Sequence, residues 1–386
     1  MMRHILLIDM NAFYITCESL RDPRLAEVPA AVAGDPKTRT GIILTSNYIA
    51  RKQGVRTAMT LHQAMQVCPG LVCVKPDMPY YDHCSEEVFR ILERYSPMVE
   101  KSSIDEGYVD VTGSLGLFGS PRDIAVSMME TIKGELGLLC SIGISENKFL
   151  AKMASEFKKP LGIVAMYKKD IAEMMWPLPL QRMVGVGKKT VDKLNRLGFH
   201  TIGDIALSSR EFLTGTFMKY GTWLHMKANG IDEEPVLCGS SAKNESIGRS
   251  TTLPLDITDI LEAKKVIAML ADEVACEARG KNLKGKTVQL VVKYSDFHVI
   301  TRQKTLEYTH QTRDIVRAGH GLLEGNWDPY RPVRLLGISL SHLDRCASQM
   351  SMFEESGKEH QEKLDKAMDG IRKKFGDKSV DRGNTL

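Results

Sequence analysis

Two short stretches constrain this chain more than any others. Residues 5–8, ILLI, form a continuous apolar run of the length that suits a buried strand, and Asp9 follows at once. Residues 101–112, KSSIDEGYVDVT, set Asp105 and Glu106 just ahead of an alternating apolar run that reads as a second strand. Acidic pairs ordinarily live in solvated turns. If the two strands are neighbours in one sheet, three carboxylates meet at its edge, where like charges in a partly dry site repel. Divalent cations remove that cost. An all-oxygen ligand set suits Mg²⁺ or Mn²⁺, which keep waters and substrate phosphates as their remaining ligands. Two such ions about 4 Å apart can activate a hydroxyl and stabilise a leaving phosphate. Spacing alone leaves a second reading equally open, in which an exposed acid pair and an unrelated strand-capping Asp have nothing in common.

Around these acids, strands and helices alternate. AFYITCESL reads as a helix, TGIILTSNYIARKQGV as a strand turning into a helix, and SEEVFRILERYS as an amphipathic helix with Val88, Ile91, Leu92 and Tyr95 on one face. RDIAVSMMETIKGEL, LLCSIGIS and ENKFLAKMASEFKKP then read as helix, strand and helix, the last closed by Pro160. Beyond KKPLGIV, residues 158–164, the pattern shifts to short helices, with Gly185 and Gly187 in a turn between two helical patterns. A polar Gly/Ser-containing stretch at 229–246 reads as a linker. A further unit follows, with a helix at 261–280, strands KTVQLVVKYSD and VITRQKTLEY, a helix, and the strand VRLLGISLSHL. From Ala347 the chain is polar apart from the island QMSMF.

With 386 residues, 43% hydrophobic and 26% charged, the chain has the composition of a soluble globular protein of roughly two to four domains. A net charge of +4 names no partner by itself. The eight cysteines show no CxxC spacing, so they read as reduced thiols rather than a zinc site or a disulfide framework. No segment approaches the roughly 20 apolar residues of a membrane span, and the first apolar run is too short for a secretion signal. The expectation is a cytoplasmic protein.

In order along the chain, LLIDMNAFYITCESL, TSNYIARKQGV, SIDEGYVDVT and GISENKFLAKMASEFKKPLGI resemble the successive motifs of Y-family translesion DNA polymerases of the polymerase IV type. VGVGKKTVDKLNRLGFHTIGDI is similar to that family's thumb, and ESIGRSTTLP to the start of its little finger. The N-terminal motif also resembles the polymerase V catalytic subunit, whose long C-terminal region has no counterpart here. The resemblance implies an α+β multidomain chain of the right-hand polymerase class. A ferredoxin-like palm would span 1–10 and 75–166, and small fingers 11–74. A helical thumb with a helix–hairpin–helix would span 167–232. A linker at 233–243 and an α/β little finger at 244–346 would follow, then a C-terminal tail at 347–386.

It implies roles as well. Asp9, Asp105 and Glu106 would be catalytic and hold two Mg²⁺ ions, replaceable by Mn²⁺, with the main-chain carbonyl of Met10 as a further ligand. Tyr14 matches the steric-gate position beneath the deoxyribose, with Phe13 beside it. Thr45, Tyr48, Arg51 and Lys159 match positions that bind the dNTP triphosphate, for which hydroxyls, an Arg fork and a Lys point charge are chemically suited. Asn11 stands where many relatives have Asp and is not taken as a ligand. Ile42 and Leu44 fall where the fingers roof the nascent base pair. Read without the family, Tyr48 is an ordinary core residue and Arg51–Lys52 a solvated helix face.

Primer–template DNA is the expected partner. Gly185 and Gly187 let backbone approach a phosphate, Lys188 and Lys189 add charge, and the next helix offers its N-terminal amides. The stretch 279–304 is basic, and its strands would carry Lys293 and Arg302 across duplex phosphates without reading sequence. Arg249, in the little finger's opening motif, joins them as an implied DNA contact. SQMSMFEES resembles a bacterial sliding-clamp peptide in which Gln349, Met352 and Phe353 fill a pocket, a tether that raises effective concentration at the primer end. The protein is expected to be monomeric, error-prone and without a proofreading exonuclease. Two rival readings are a nucleotide cyclase, which needs neither a helix–hairpin–helix nor a basic third unit, and a non-catalytic DNA-binding repair accessory.

Overall fold

The computed structural model describes residues 2–35, 41–238, 246–345, 356–376 and 379–380. They divide into two compact units, one of residues 1–34 and 42–242, the other chiefly of residues 243–386.

The first unit is built around β1 (Ile5–Met10), whose first four side chains are almost wholly buried. A strand apolar on both faces belongs in the middle of a covered sheet, and each such side chain contributes roughly 1.5–3 kcal/mol. From β1 the chain turns at Asn11–Ala12 into α1 (Phe13–Arg21). It then forms a small sheet from β2 (Ala30–Ala33), β3 (Ile43–Ser46) and, after α2 (Tyr48–Lys52) and α3 (Leu61–Val67), β4 (Val72–Val74), in the order β3-β2-β4. Asn47 caps α2 by accepting from the Ala50 amide at 2.9 Å, and Thr60 and Gln63 form a capping box on α3.

The long helix α4 (Met78–Glu93) returns to the large sheet, which adds β5 (Val99–Lys101) and β6 (Glu106–Asp110). After α5 (Leu115–Phe118) come α6 (Pro121–Leu136), β7 (Cys140–Ser145), α7 (Lys148–Ser155) and β8 (Ile163–Ala165). The order is β5-β6-β1-β7-β8, with β1 antiparallel to both neighbours. Strand alternation sends Leu6, Ile8 and Met10 into one core with Ile91 and Leu92 of α4 and Ile124, Met128 and Ile132 of α6. Ile5 and Leu7 point the other way, onto Ala151 of α7. That helix comes very close: a Cβ on Gly143 would lie 1.9 Å from the Ala151 carbonyl oxygen, so β7 needs glycine there.

Five short helices complete the unit: α8 (Ile171–Met174), α9 (Lys188–Arg196), α10 (Ile202–Leu207), α11 (Arg210–Phe217) and α12 (Lys219–Ala228). Their core takes in Phe149, Leu150 and Met153 from α7.

The second unit is a four-stranded antiparallel sheet of β9 (Ser246–Ile257), β10 (Leu283–Tyr294), β11 (Val299–Thr309) and β12 (Val333–Ser341), in the order β11-β10-β12-β9. The helices α13 (Ile260–Gly280) and α14 (Thr312–Glu324) cover one face, where Val288, Leu290, Val292, Ile338 and Leu340 are buried. A two-residue strand, β13 (Asp344–Arg345), pairs with β10. A final helix, α15 (Ser356–Phe375), docks on α13: Arg279 ion-pairs Asp365 and Asp369, and Arg372 ion-pairs Asp272. The stretch from 357, whose sequence reads as amphipathic and helical, thus supplies a packed helix. Seven cysteines among the described residues are free thiols, and no helix there is long and apolar enough to cross a membrane.

Candidate active site

The antiparallel β1–β6 register sets Asp9 directly opposite Glu106, a spacing of about 4.5–5.5 Å between Cβ atoms. Asp105 stands one residue earlier, and its carbonyl accepts from the Met10 amide at 2.9 Å. Residues 9, 106 and 152 lie too far apart in sequence for any local pattern to have placed them; the fold does it. Asp9 shares a face with Ile5 and Leu7, so its carboxylate points towards α7, and there it meets Lys152. The Lys152 ammonium bonds Asp9 Oδ2 at 2.9 Å, bonds Glu106 as well, and stands 3.4 Å from Glu156. Lys159 reaches the same Asp9 oxygen at 2.8 Å and Glu156 at 2.7 Å. Ser103 donates to Asp105 Oδ1 at 2.6 Å and accepts from the Asp105 amide, which fixes that carboxylate's rotamer.

The charges are strongly interdependent. Burial works to raise the Asp9 carboxyl, but Lys152 and Lys159 outweigh it and hold it below the usual range. Burial raises the Glu106 carboxyl, and the Asp9 charge adds to the rise while Lys152 opposes it. Lys152 itself is partly buried, which disfavours its charge, yet Asp9 and Glu106 together push its pKa up.

A cleft of about 370 Å³ opens beside these groups. Its walls include Asp9, Met10, Asp105 and Glu106 together with Phe13, Tyr14, Thr45, Tyr48, Arg51 and Lys159. Sequence resemblance named all ten. Tyr14 is held by a stacked ring, Tyr81, at a centroid distance of 4.6 Å, and burial followed by the nearby Asp105 charge raises its phenol. The Tyr48 hydroxyl is buried with no hydrogen-bond partner among the described residues, an orphan that a ligand oxygen would satisfy. Arg51 is aimed by its Nε donating to the Ser46 carbonyl at 2.9 Å. The first turn of α1 has no side-chain cap, and Ala12, Phe13 and Tyr14 all border the cleft, so its amides suit an anion.

As they stand, no three His, Cys, Asp or Glu side chains among the described residues are gathered closely enough to hold an ion. The reason is visible: a lysine ammonium lies between Asp9 and Glu106, and Ser103 engages Asp105. That ammonium is itself a cation stand-in on an all-oxygen donor set, so these residues fit a hard divalent cation. Lys152, Glu156, Thr57, Ser103 and Tyr81 were missed in the sequence. Lys152, Glu156 and Lys159 do recur at helical spacing after a strand, but the same pattern describes a solvated helix face.

The proposed DNA-contacting residues are placed less uniformly. Gly185 adopts φ +85°, Gly187 caps α9, and Lys188 and Lys189 are exposed at its first turn. Only a 3-10 turn, Leu180–Arg182, precedes this hairpin where the sequence suggested a helix. In the second unit, Lys293 lies on the open face of the sheet with Gln289, Gln303, Ser339 and Ser250. Arg302 pairs with Leu290 and Arg249 with Ile338, which puts both on the helix-covered side of the two edge strands. There Arg302 bonds Asn326 at 2.7 Å and Arg249 bonds Glu277 at 2.6 Å. The strand period of two thus divides these basic side chains between the two faces of the sheet. Gln349, Met352 and Phe353 lie outside the described residues.

Known proteins resemble this chain. The impB/mucB/samB family matches residues 8–156, its C-terminal domain residues 244–352, and the IMS family HHH motif residues 168–199. The chain is 48% identical over its full length to 99% of the DNA polymerase IV of Clostridium kluyveri. It is 46% identical, over 99% of its length, to 98% of the DNA polymerase IV of Alkaliphilus oremlandii. It is 38% identical over its full length to 93% of DNA polymerase IV 1 of Bacillus subtilis. A solved Y-family DNA polymerase chimera superposes with a TM-score of 0.77 at 24% identity, covering 89% of this chain and all of the chimera.

Proposed function

Because the chain belongs to the impB/mucB/samB family of Y-family polymerases and is a DNA-directed DNA polymerase of the polymerase IV type, acting in translesion synthesis, we propose that nucleotidyl transfer takes place in the cleft between Asp9, Glu106 and Lys159. The observation that carries this reading is the cross-strand Asp9–Glu106 pair bridged by an ammonium, in one cleft with an orphaned Tyr48 hydroxyl.

Asp9, Asp105 and Glu106 would hold two Mg²⁺ ions, with the Met10 carbonyl as a further oxygen. When bound, such ions lower the pKa of the primer 3′-hydroxyl and neutralise charge on the triphosphate. The chain's own groups do the positioning. Thr45, Tyr48 and Arg51 direct hydrogen bonds at phosphate oxygens, the first-turn amides of α1 add theirs, and Lys159 supplies a point charge beside Asp9. Tyr14, backed by Tyr81 and flanked by Phe13, presents a flat ring on which a deoxyribose fits and a 2′-hydroxyl collides.

By the same reading, residues 1–10 with 75–166 act as palm and 11–74 as fingers. Residues 167–232 act as thumb and 244–346 as little finger, joined by the linker at 233–243. DNA phosphates would lie against Gly185–Lys189 and against the open sheet face with Lys293, flanked by Arg249 and Arg302 on the two edges. We assign no proofreading function to any of these parts, a monomeric cytoplasmic state, and a clamp tether to Gln349, Met352 and Phe353.

The test is extension of a primed template, intact or carrying an abasic site, with Mg²⁺. Wild-type protein extends both and Asp105→Ala extends neither. If the wild-type protein incorporated no dNTP with either Mg²⁺ or Mn²⁺, the reading would be wrong.

A further inference from the structure

Asn11 has no assigned part in the site, yet it is 2% exposed and uses its whole side chain on two other segments. Its Nδ2 donates to Ser141 Oγ of β7 at 3.0 Å, and its Oδ1 accepts from the Leu161 amide at 3.0 Å. Ser141 lies opposite Asp9 in the β1–β7 ladder and is fully buried, and its Oγ also accepts from the Gly162 amide at 3.4 Å. The loop 158–162 is therefore tied at Leu161 and Gly162 to the strand ends that carry Asp9.

That loop does not rest in a relaxed conformation on its own. Leu161 sits at φ +60°, the left-handed region that an L residue with a side chain adopts only under strain. A Cβ on Gly162 would lie 1.9 Å from the Lys158 carbonyl oxygen, so the chain doubles back tightly. The buried Asn11–Ser141 pair is what holds the turn, and the turn carries Lys159, whose ammonium lies on Asp9 and Glu156. Asn11 stands two residues beyond Asp9 along the chain and bonds the amide of Leu161, two residues beyond Lys159, so one buried side chain fixes the carboxylate strand and the lysine loop against each other.

We propose that Asn11 is a positioning residue for Lys159: it sets where that ammonium meets the nucleotide triphosphate and does not itself touch the nucleotide. This rests on the reading of Lys159 as a triphosphate contact. Without the anchor, Lys159 keeps its Glu156 partner but loses a fixed stem, and its long side chain regains rotamer freedom.

Steady-state single-nucleotide insertion on a primed template tests it, with Asn11→Ala, Asn11→Asp, Lys159→Ala and the Asn11→Ala/Lys159→Ala double variant. Asn11→Ala raises KM for the dNTP about tenfold with a smaller change in kcat, the mark of a misplaced binding group. Asn11→Asp, which keeps an acceptor for the Leu161 amide, recovers most of the affinity. The double variant is no worse than Lys159→Ala, because the lost anchor acts only through that lysine. If the Asn11→Ala protein melts below assay temperature, Asn11→Ser keeps a polar group in the buried site but is too short to reach Leu161, and must raise KM in the same way. Wild-type KM in a folded Asn11→Ala or Asn11→Ser protein, or losses that simply multiply in the double variant, overturns the inference. Should Lys159→Ala leave KM unchanged, the triphosphate reading falls and the inference falls with it. Should Lys159→Ala raise KM while Asn11→Ala does not, only the inference falls.

Discussion

Asp9 and Glu106 face each other across the β1–β6 ladder with the Lys152 ammonium held between them. Removing one partner from a buried charge cluster leaves the others uncompensated, which ordinarily costs several kcal/mol. Lys159 still contacts Asp9, and the cluster borders a cleft, so the loss here is discounted. Lys152→Met should lower stability by about 2 kcal/mol in EDTA. Mg²⁺, supplying the missing positive charge, should restore more melting temperature to the variant than it adds to wild type. Equal Mg²⁺ shifts in the two proteins would show that the ammonium and the metal ion do not share a place.

The two carboxylates should respond to pH with opposite signs. Asp9's pKa is lowered on folding, so its charge stabilises the protein fully above its unfolded value of about 3.9, and this is lost as pH falls through the lower folded value. Glu106's pKa is raised on folding, so its charge costs stability in full above the folded value, and the cost fades as pH falls through that value and is gone below the unfolded value of about 4.3. In EDTA at pH 8, Asp9→Asn should therefore lower the melting temperature and Glu106→Gln raise it. Both differences should shrink towards zero in strong acid. Melting curves from pH 8 to pH 3 check this, and equal signs at pH 8 would contradict the charge assignment.

Tyr14 is rigid because Tyr81 stacks against it, and Tyr81 is fixed in turn by donating to Glu18 at 2.7 Å. Tyr14→Ala should admit ribonucleotides, cutting discrimination between dNTP and rNTP by about two orders of magnitude, since a steric clash and not a hydrogen bond does the excluding. Tyr14→Phe keeps the ring and should keep the discrimination. Incorporation ratios measured with both sugars decide it; unchanged discrimination in Tyr14→Ala would remove Tyr14 from the gate.

Much of this site could be read from the sequence because its signals are local. Ile5–Ile8 announces a doubly covered strand, and Asp9 at its end has no apolar role to play. The cleft residues Thr45, Tyr48 and Arg51 were legible only through family resemblance; taken alone, Tyr48 passes for core, and only its orphaned hydroxyl marks it as more. Lys152 was not legible at all. What makes it part of the site is that Asp9 shares a strand face with Ile5 and Leu7, which depends on which helix covers that face. The face that Arg302 and Arg249 occupy was hidden for a related reason: clustering along the chain says nothing of the side a strand residue takes until the register is known. Asn11 gave no signal either, since its partners at 141 and 161 are brought to it by the sheet.

The turn before α9 separates geometry from charge. Gly185 has φ +85°, and a Cβ there would lie 2.5 Å from the Trp223 ring, whose neighbour Tyr220 donates to the Gly185 carbonyl at 2.8 Å. Gly185→Ala must distort the turn, costing about 1–3 kcal/mol. If the hairpin grips phosphate through its amides, the variant should bind primer–template DNA more weakly with nearly the same dependence on salt. Lys188→Ala/Lys189→Ala leaves the backbone intact and removes two charges. It should flatten the plot of log affinity against log salt by up to about 0.9 per lost phosphate contact. Fluorescence anisotropy across a salt series distinguishes the two. A Gly185→Ala protein that binds DNA like wild type would remove the hairpin from the DNA interface, and an unchanged slope in the double lysine variant would remove its charges.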